Sequence, residues 1–319
     1  MGDRLLGKKD PYSGLTVRLS RDDLRRSSAD FGAVLEASMA EWRADGVRGV
    51  WLRLPTKSAA ARGFVAPAIA AGFEFHHAKP GYAMMTAWLP AVTEAAPNSL
   101  PLYPHHQVGV GGMVLDASGT RVLAIQEKAG NTGFWKLPGG LVDPREDLAG
   151  AACREVLEET GVAATFLGLC AFRESHAGPF GSTDLYAVAA LRLDAGSYGE
   201  HDDNAEPPVP SPQEREIARA EWLPLAEFLA LPYYTGDGLF GTMLRAAAET
   251  MLAMRAAAGL AAPAVGGSRE GGKAWGGQGQ GQGQQGMVAS RLPLVFRKGS
   301  ETLYHSAASE AVRVAKAKL

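Results

Sequence analysis

The chain has 319 residues, 46% hydrophobic and 21% charged, with 32 basic against 34 acidic side chains and a formal charge of −2. This is an ordinary globular composition, so wholesale disorder is excluded, and at roughly 150 residues per domain the length points to two domains. The charge balance demands no nucleic acid or other polyelectrolyte partner. No apolar run reaches the ~18 residues of a membrane span. Two cysteines, Cys153 and Cys170, are too few to staple such a chain and lack metal-ligand spacing, which favours a reducing compartment.

Residues 1–13 show no apolar signal-peptide core and are expected to be a flexible N-terminus of a cytoplasmic protein. Organellar targeting is left open, although Asp3 and Asp10 are atypical of transit peptides. Residues 14–90 read as one α/β unit. A strand at 15–19 precedes a cap region at Ser27, Ser28 and Asp30, and Phe31, Val34, Leu35, Ser38, Met39 and Trp42 then recur at helical spacing as far as Gly46. A strand at 50–54, an Ala-rich helix at about 57–71 and two closing strands around Lys79, Pro80 and Gly81 complete the order β-α-β-α-β-β. His76 and His77 are expected to pack or hydrogen-bond at a strand end. Residues 91–105 are expected to be a linker.

Residues 106–258 read as a second unit. An apolar strand at 108–115, a turn at 116–119 and a return strand at 121–126 make a hairpin. A loop, a helix, strands near 164–175, 184–193 and 220–223, and helices at 224–231 and 237–257 follow. A polar stretch at 195–213 reads as a long surface loop. The glycine surplus, 39 residues in all, is concentrated at 266–286, so 259–287 is expected to be a disordered Gly/Gln-rich linker before a tail at 288–319. Trp275 is read as incidental to that linker, and the basic residues of 312–319 as a solvated tail.

The chemistry concentrates at 140–162. Gly140 is followed after five residues by Glu146, and after seven more by Arg154, Glu155, Val156, Leu157, Glu158, Glu159, Thr160, Gly161 and Val162. The segment from Asp147 lacks proline, and Gly161 stands where a helix C-terminus takes left-handed geometry. Leu148, Ala152, Val156 and Leu157 supply an apolar side. Glu155, Glu158 and Glu159 then project within one turn. Three carboxylates so close repel one another, and a hard divalent cation, Mg²⁺ or Mn²⁺, removes the repulsion. No His or Cys stands at ligand spacing, which argues against zinc. Arg154 is placed to orient a carboxylate, Gly139 and Gly140 to let backbone approach the cation, and Glu146 to accept from Arg154 or to face the helix dipole.

This spacing fits the Nudix box at all nine of its constrained positions, and the chain resembles the Nudix hydrolases. Segments 73–90, 106–116, 134–140, 171–176 and 221–228, with 290–306, are similar to one subgroup. It contains the plant ADP-ribose/NADH pyrophosphatases and an animal protein encoded antisense to a fibroblast growth factor. The resemblance implies an α/β (α+β) fold class: a Nudix α/β/α sandwich with a mixed sheet, preceded by a small acetyltransferase-like α/β domain. It also implies Mg²⁺-dependent hydrolysis of a diphosphate bond in a nucleotide-sugar or dinucleotide substrate, ADP-ribose or NADH, releasing AMP. In that reading Glu155, Glu159 and Glu158 hold the metal with Gly140, and Arg154 orients them. The general base is one of Glu155, Glu174, Glu214 and Glu216, with Glu216 preferred. Phe134, Trp135, Phe172, Phe180 and Tyr186 are candidates for the adenine slot, and Lys136 and Arg173 for phosphate. The four cysteines of the zinc-ribbon NADH pyrophosphatases are absent. Two alternatives stand beside this reading: a nucleotide-binding regulator with weak catalysis, and an enzyme acting on RNA ends or other nucleotides. A homodimer is left open.

Overall fold

The computed structural model describes residues 4–91, 97–130, 133–194, 206–236, 238–257, 287–293 and 300–306. The chain divides into two compact units, Met1–Pro104 and His105–Leu319.

The first unit runs β1 (Gly7–Lys9), β2 (Gly14–Arg18), α1 (Ser28–Ala44), β3 (Gly49–Pro55), α2 (Ala59–Gly63), α3 (Val65–Ala70), β4 (Glu74–Lys79) and β5 (Tyr82–Trp88). Its sheet has the order β1-β2-β3-β5-β4, with β2 and β3 parallel. The period-2 pattern of β3 buries Val50, Leu52 and Leu54 in one core with Phe31, Leu35, Met39 and Trp42 of α1. Ser27 caps α1 by accepting from the Asp30 N–H at 3.1 Å. His76 and His77 do hydrogen-bond: their Nδ1 atoms lie 2.7 Å apart, and His76 Nε2 is 2.9 Å from the Pro101 carbonyl oxygen.

Two expectations for this unit are corrected. From residue 4 onward the N-terminus is built in: Leu5 is buried, and Gly7–Lys9 pairs antiparallel with β2. An edge strand needs pairing on one side only, and its exposed lysines leave no apolar signature in the sequence. The Ala-rich helix is two short helices that break at Phe64. Pro67 has no N–H for the Gly63 carbonyl, which instead accepts from Ser28 Oγ at 2.8 Å. Phe64 turns inward and stacks on Phe31 with ring centroids 4.0 Å apart.

The second unit runs β6 (His106–Leu115), β7 (Arg121–Glu127), β8 (Gly139–Leu141), α4 (Leu148–Thr160), β9 (Ala164–Ser175), β10 (Thr183–Leu193), β11 (Ile217–Pro224), α5 (Leu225–Leu229), α6 (Leu239–Ala257), β12 (Met287–Pro293) and β13 (Ser300–Ser306). The sheet order is β11-β7-β6-β10-β9-β13-β12, with β8 paired to β6. β6 and β10 are parallel and the other pairs antiparallel, so the sheet is mixed. Alternate residues of β6 fill opposite cores. Val110 and Val114 of β6 pack with Ala151, Ala152 and Val156 of α4, whereas Met113 and Leu115 pack with Met243, Ala247 and Met251 of α6. Helices on both faces make the expected α/β/α sandwich.

The C-terminal segment was expected to be a plain tail. β12 and β13 instead extend the sheet, β13 pairing with β9 from Thr302↔Glu174 to His305↔Ala171. Leu303 and His305 are buried. The Gly/Gln tract with Trp275, the first part of the 195–213 loop and residues 312–319 lie outside the described residues. Among the described residues no helix is long and apolar enough to cross a membrane.

Candidate active site

Helix α4 starts at its N-cap Asp147 and ends on Gly161, which adopts φ +70° and donates its N–H to the Leu157 carbonyl at 2.8 Å. Ala151, Ala152 and Val156 anchor it to the sheet, while Leu157, expected on the apolar side, is 50% exposed. The opposite side carries the charges. Arg154 lies among three of them: its Nε and Nη2 grip both oxygens of Glu146 at 2.8 Å. Its Nη1 donates to Glu155 at 2.8 Å and to Glu158 at 3.1 Å. Its Nη2 also reaches the Leu141 carbonyl oxygen at 3.2 Å. This fork holds the box loop against the helix. Arg154, with the Asp143 N–H, keeps the Glu146 carboxyl ionised down to about pH 2.

Glu155 and Glu159 face the glycine loop. A Cβ on Gly140 would stand 2.6 Å from Glu155 Oε1, and one on Gly139 would stand 2.2 Å from the Val110 carbonyl oxygen, so only glycines let this loop lie where it does. Gly139 donates its N–H to Glu159 at 2.7 Å. Burial nevertheless pushes the Glu159 carboxyl up to about 7, against the help of that N–H and of Lys136, with repulsion from Glu155 and Glu127 adding to the rise. Buried carboxylate oxygens beside a glycine loop are hard donors of the kind a divalent cation takes. Among the described residues, no three acidic, His or Cys side chains converge to enclose one. Glu158 is 55% exposed and accepts from the same Arg154 Nη1 as Glu155. Glu155 and Glu159 beside Gly140 would offer a cation an open, all-oxygen set of ligands, which fits Mg²⁺, a cation that commonly retains water and substrate oxygens in its shell.

Next to this loop is a cavity of about 370 Å³ whose lining includes Gly139, Glu127, Lys136, Phe134, Tyr233 and Arg173. Lys136 Nζ pairs with Glu127 at 2.5 Å. Arg173 pairs with Asp184 at 2.6 Å and lies 5.5 Å from the Tyr186 ring. The Tyr186 hydroxyl is buried, which pushes it up to about 12.

Residues 5–89 match the family model described as "Nudix hydrolase domain", and residues 105–240 the one described as "NUDIX domain". The chain is 33% identical over 243 residues to Nudix hydrolase 7 of Arabidopsis thaliana, covering 75% of this chain and 78% of that protein. The chain belongs to the Nudix hydrolase family. It is 39% identical to Arabidopsis thaliana Nudix hydrolase 8 over 72% of this chain and 58% of that one. It is 42% identical to the Mus musculus protein named "Nucleoside diphosphate-linked moiety X motif 6", over 60% of each. The chain therefore spans about three fifths of the length of these last two relatives.

Within this Nudix fold the structure brings together Arg154, Glu146, Glu155, Glu158 and Glu159 on one side, and Phe134, Lys136, Arg173 and Tyr186 around the cavity. It does not bring Trp135 there: the indole packs on the core with Arg219 4.9 Å above it, and what Trp135 offers this region is its backbone. Phe172 packs on the α4 side of the sheet, and Phe180 is fully exposed. Glu216 is not among the residues that line the cavity, its carboxylate 61% exposed and 3.6 Å from Arg215. It belongs to a turn that only abuts the end of β7, where the Lys128 N–H donates to its carbonyl. The acid that lines the cavity from this corner is Glu127, which carries no sequence signal beyond its place at a strand end. No motif marks the tyrosines of the 232–234 Pro-Tyr-Tyr turn either, and their sequence signal is two adjacent aromatics in a turn.

Proposed function

We propose that this Nudix hydrolase cleaves the diphosphate bond of a nucleoside diphosphate linked to a second moiety, ADP-ribose or NADH, with Mg²⁺ or Mn²⁺. Water adds across the bond to give AMP and either ribose 5-phosphate or reduced nicotinamide mononucleotide. The observation that carries the reading is the cavity: aromatic rings form one wall, and the lining reaches Gly139, whose N–H is bonded to the box residue Glu159. A base seated among the rings would extend its phosphates toward the carboxylates of α4. The similarity to the plant ADP-ribose/NADH pyrophosphatase segments supports the choice of substrate. So does the relative's name, which specifies a nucleoside diphosphate-linked moiety.

In this reading Glu155 and Glu159 hold the cation, with Gly140 beside them and Glu158 supporting. When bound, the cation offsets charge developing on the diphosphate and makes water more acidic. Arg154 keeps Glu155 in place through its fork to Glu146. Lys136 and Arg173 meet phosphate or ribose oxygens. Glu127, held by Lys136, is the cavity acid available to take a proton from water.

The test is a panel of ADP-ribose, NADH, NAD⁺, 8-oxo-dGTP and CoA with Mg²⁺, Mn²⁺ or a chelator. AMP release from ADP-ribose or NADH is expected to lead and to stop on chelation. Glu159→Gln is expected to lower kcat by about 100-fold. Comparable rates on every nucleotide would sink the substrate assignment, and full activity of Glu159→Gln the metal assignment.

A further inference from the structure

One part of the cavity wall comes from outside the box and from outside every segment in which the sequence shows chemistry. Tyr233, in the turn between α5 and α6, places its ring against Phe134, with centroids 4.2 Å apart and planes tilted by 34°. Both line the cavity, and Phe134 is 36% exposed. The pair is held by polar bonds on its far side. The Trp135 N–H donates to the Tyr233 hydroxyl at 2.6 Å, and the Tyr234 hydroxyl donates to the Trp135 carbonyl oxygen at 2.9 Å. Arg245 of α6 in turn donates to the Tyr234 carbonyl oxygen at 2.6 Å. The turn is therefore tied to the 134–137 segment on one side and to α6 on the other.

Such bracing is more than packing requires. A large ring left partly open on a cavity wall, with its neighbour's angle set by a hydroxyl-to-backbone bond, is a preformed flat surface. Met243 and Leu244 of α6 also line this cavity, so its walls are aromatic and aliphatic. Its charged side chains are Lys136, Glu127 and Arg173, and its lining includes Gly139 of the box loop. A ligand that matches carries a planar aromatic ring together with anionic groups.

We infer that Tyr233 is the residue that selects a nucleobase: with Phe134 it forms the platform on which the base of the substrate stacks. Tyr234 is a positioning residue that fixes this platform through Trp135. The inference rests on the nucleotide reading above and sharpens it, because it makes the base, and not the diphosphate alone, a determinant of binding.

The experiment uses the full-length protein with Mg²⁺ and two probes, AMP and ribose 5-phosphate, measured by calorimetry in the wild type, Tyr233→Leu and Phe134→Leu. Both probes carry the phosphate and only AMP carries a base. The wild type is expected to prefer AMP, and each variant to lose about tenfold of that preference, as the removal of one stacking ring does. A preference unchanged in a folded variant overturns the inference. So does equal weakening of both probes, the signature of a wall that merely collapsed. A measurement independent of the variants' folding is the nuclear Overhauser effect from adenine H2 and H8 to the Tyr233 ring in the unmodified protein, and its absence also overturns the inference. The two readings fail separately. Base-selective binding without diphosphate cleavage would defeat the proposed function and leave Tyr233 its role, whereas cleavage indifferent to the base would do the reverse.

Discussion

Arg154 shows how much one side chain organises. A lysine at this position would carry the same charge but could not meet Glu146 on both oxygens while also reaching Glu155 and Glu158, because only a guanidinium presents that many donors in a fixed fork. The consequence for Glu146 is measurable. Its folded-state carboxyl titrates near 2 against an ordinary value of 4.5, so between those values the unfolded chain binds more protons than the folded one. The stability this group contributes is complete above about pH 4.5 and is lost as pH falls toward 2. Glu146→Gln is therefore expected to melt less steeply with acid than the wild type between pH 5 and pH 3. Parallel pH profiles of the two would show that the fork adds nothing to the folded state. The residues of this cluster were legible in the sequence because they sit within twenty residues at a fixed spacing. Tyr233 was not, because its bond to Trp135 spans 98 positions and no local pattern encodes it.

Helix α4 is the element that turns spacing into geometry. Its length is set by Gly161, whose φ of +70° closes the last turn after Glu158 and Glu159. An alanine there would adopt the left-handed conformation at a cost of about 1–2 kcal/mol. Its Cβ would also sit 3.2 Å from Ser211 Cβ. Gly161→Ala is expected to lower the unfolding free energy by that amount, read as a lower denaturant midpoint at an unchanged m-value. A midpoint equal to the wild type would mean that the helix end is not strained by a side chain. Elements of this kind were readable in advance: α1, α4 and α6 show period 3.6, and β3 and β7 alternate or run apolar between turns. The Ala-rich stretch misled because its composition favours helix throughout, whereas the break at Phe64 arises from a missing proline donor and from stacking on Phe31, a residue 33 positions earlier. β1, β12 and β13 were missed for a related reason. Short strands toward a sheet edge take their stability from a partner strand and carry little apolar periodicity of their own.

At the scale of the second unit, the chain's last described strand backs the wall of the cavity. β13 pairs with β9 in the register Leu303↔Arg173, so the strand that carries Arg173 is flanked on its outer side by residues more than a hundred positions away. Leu303 is fully buried in the core shared with α6, among Met243, Leu244 and Met251. Met243 and Leu244 also line the cavity, so one apolar cluster supports the sheet edge and shapes the ligand space together. Leu303→Ala leaves the box untouched and removes a buried side chain, at a cost of about 2–5 kcal/mol and a fall in Tm of roughly 5–15 °C. If β13 only shields the sheet edge, steady-state constants of the folded fraction stay where they were. If it also sets where β9 holds Arg173 and where α6 presents its apolar face, KM for the substrate of the proposed reaction rises several-fold while kcat, which in that proposal rests on the carboxylates of α4, moves less. The second outcome is expected, because core side chains are close-packed and a void beside Met243 and Leu244 is relieved by movement of the groups that form the cavity wall. Melting curves with steady-state kinetics on Leu303→Ala separate the two, and a KM unchanged below the variant's Tm would refute the coupling.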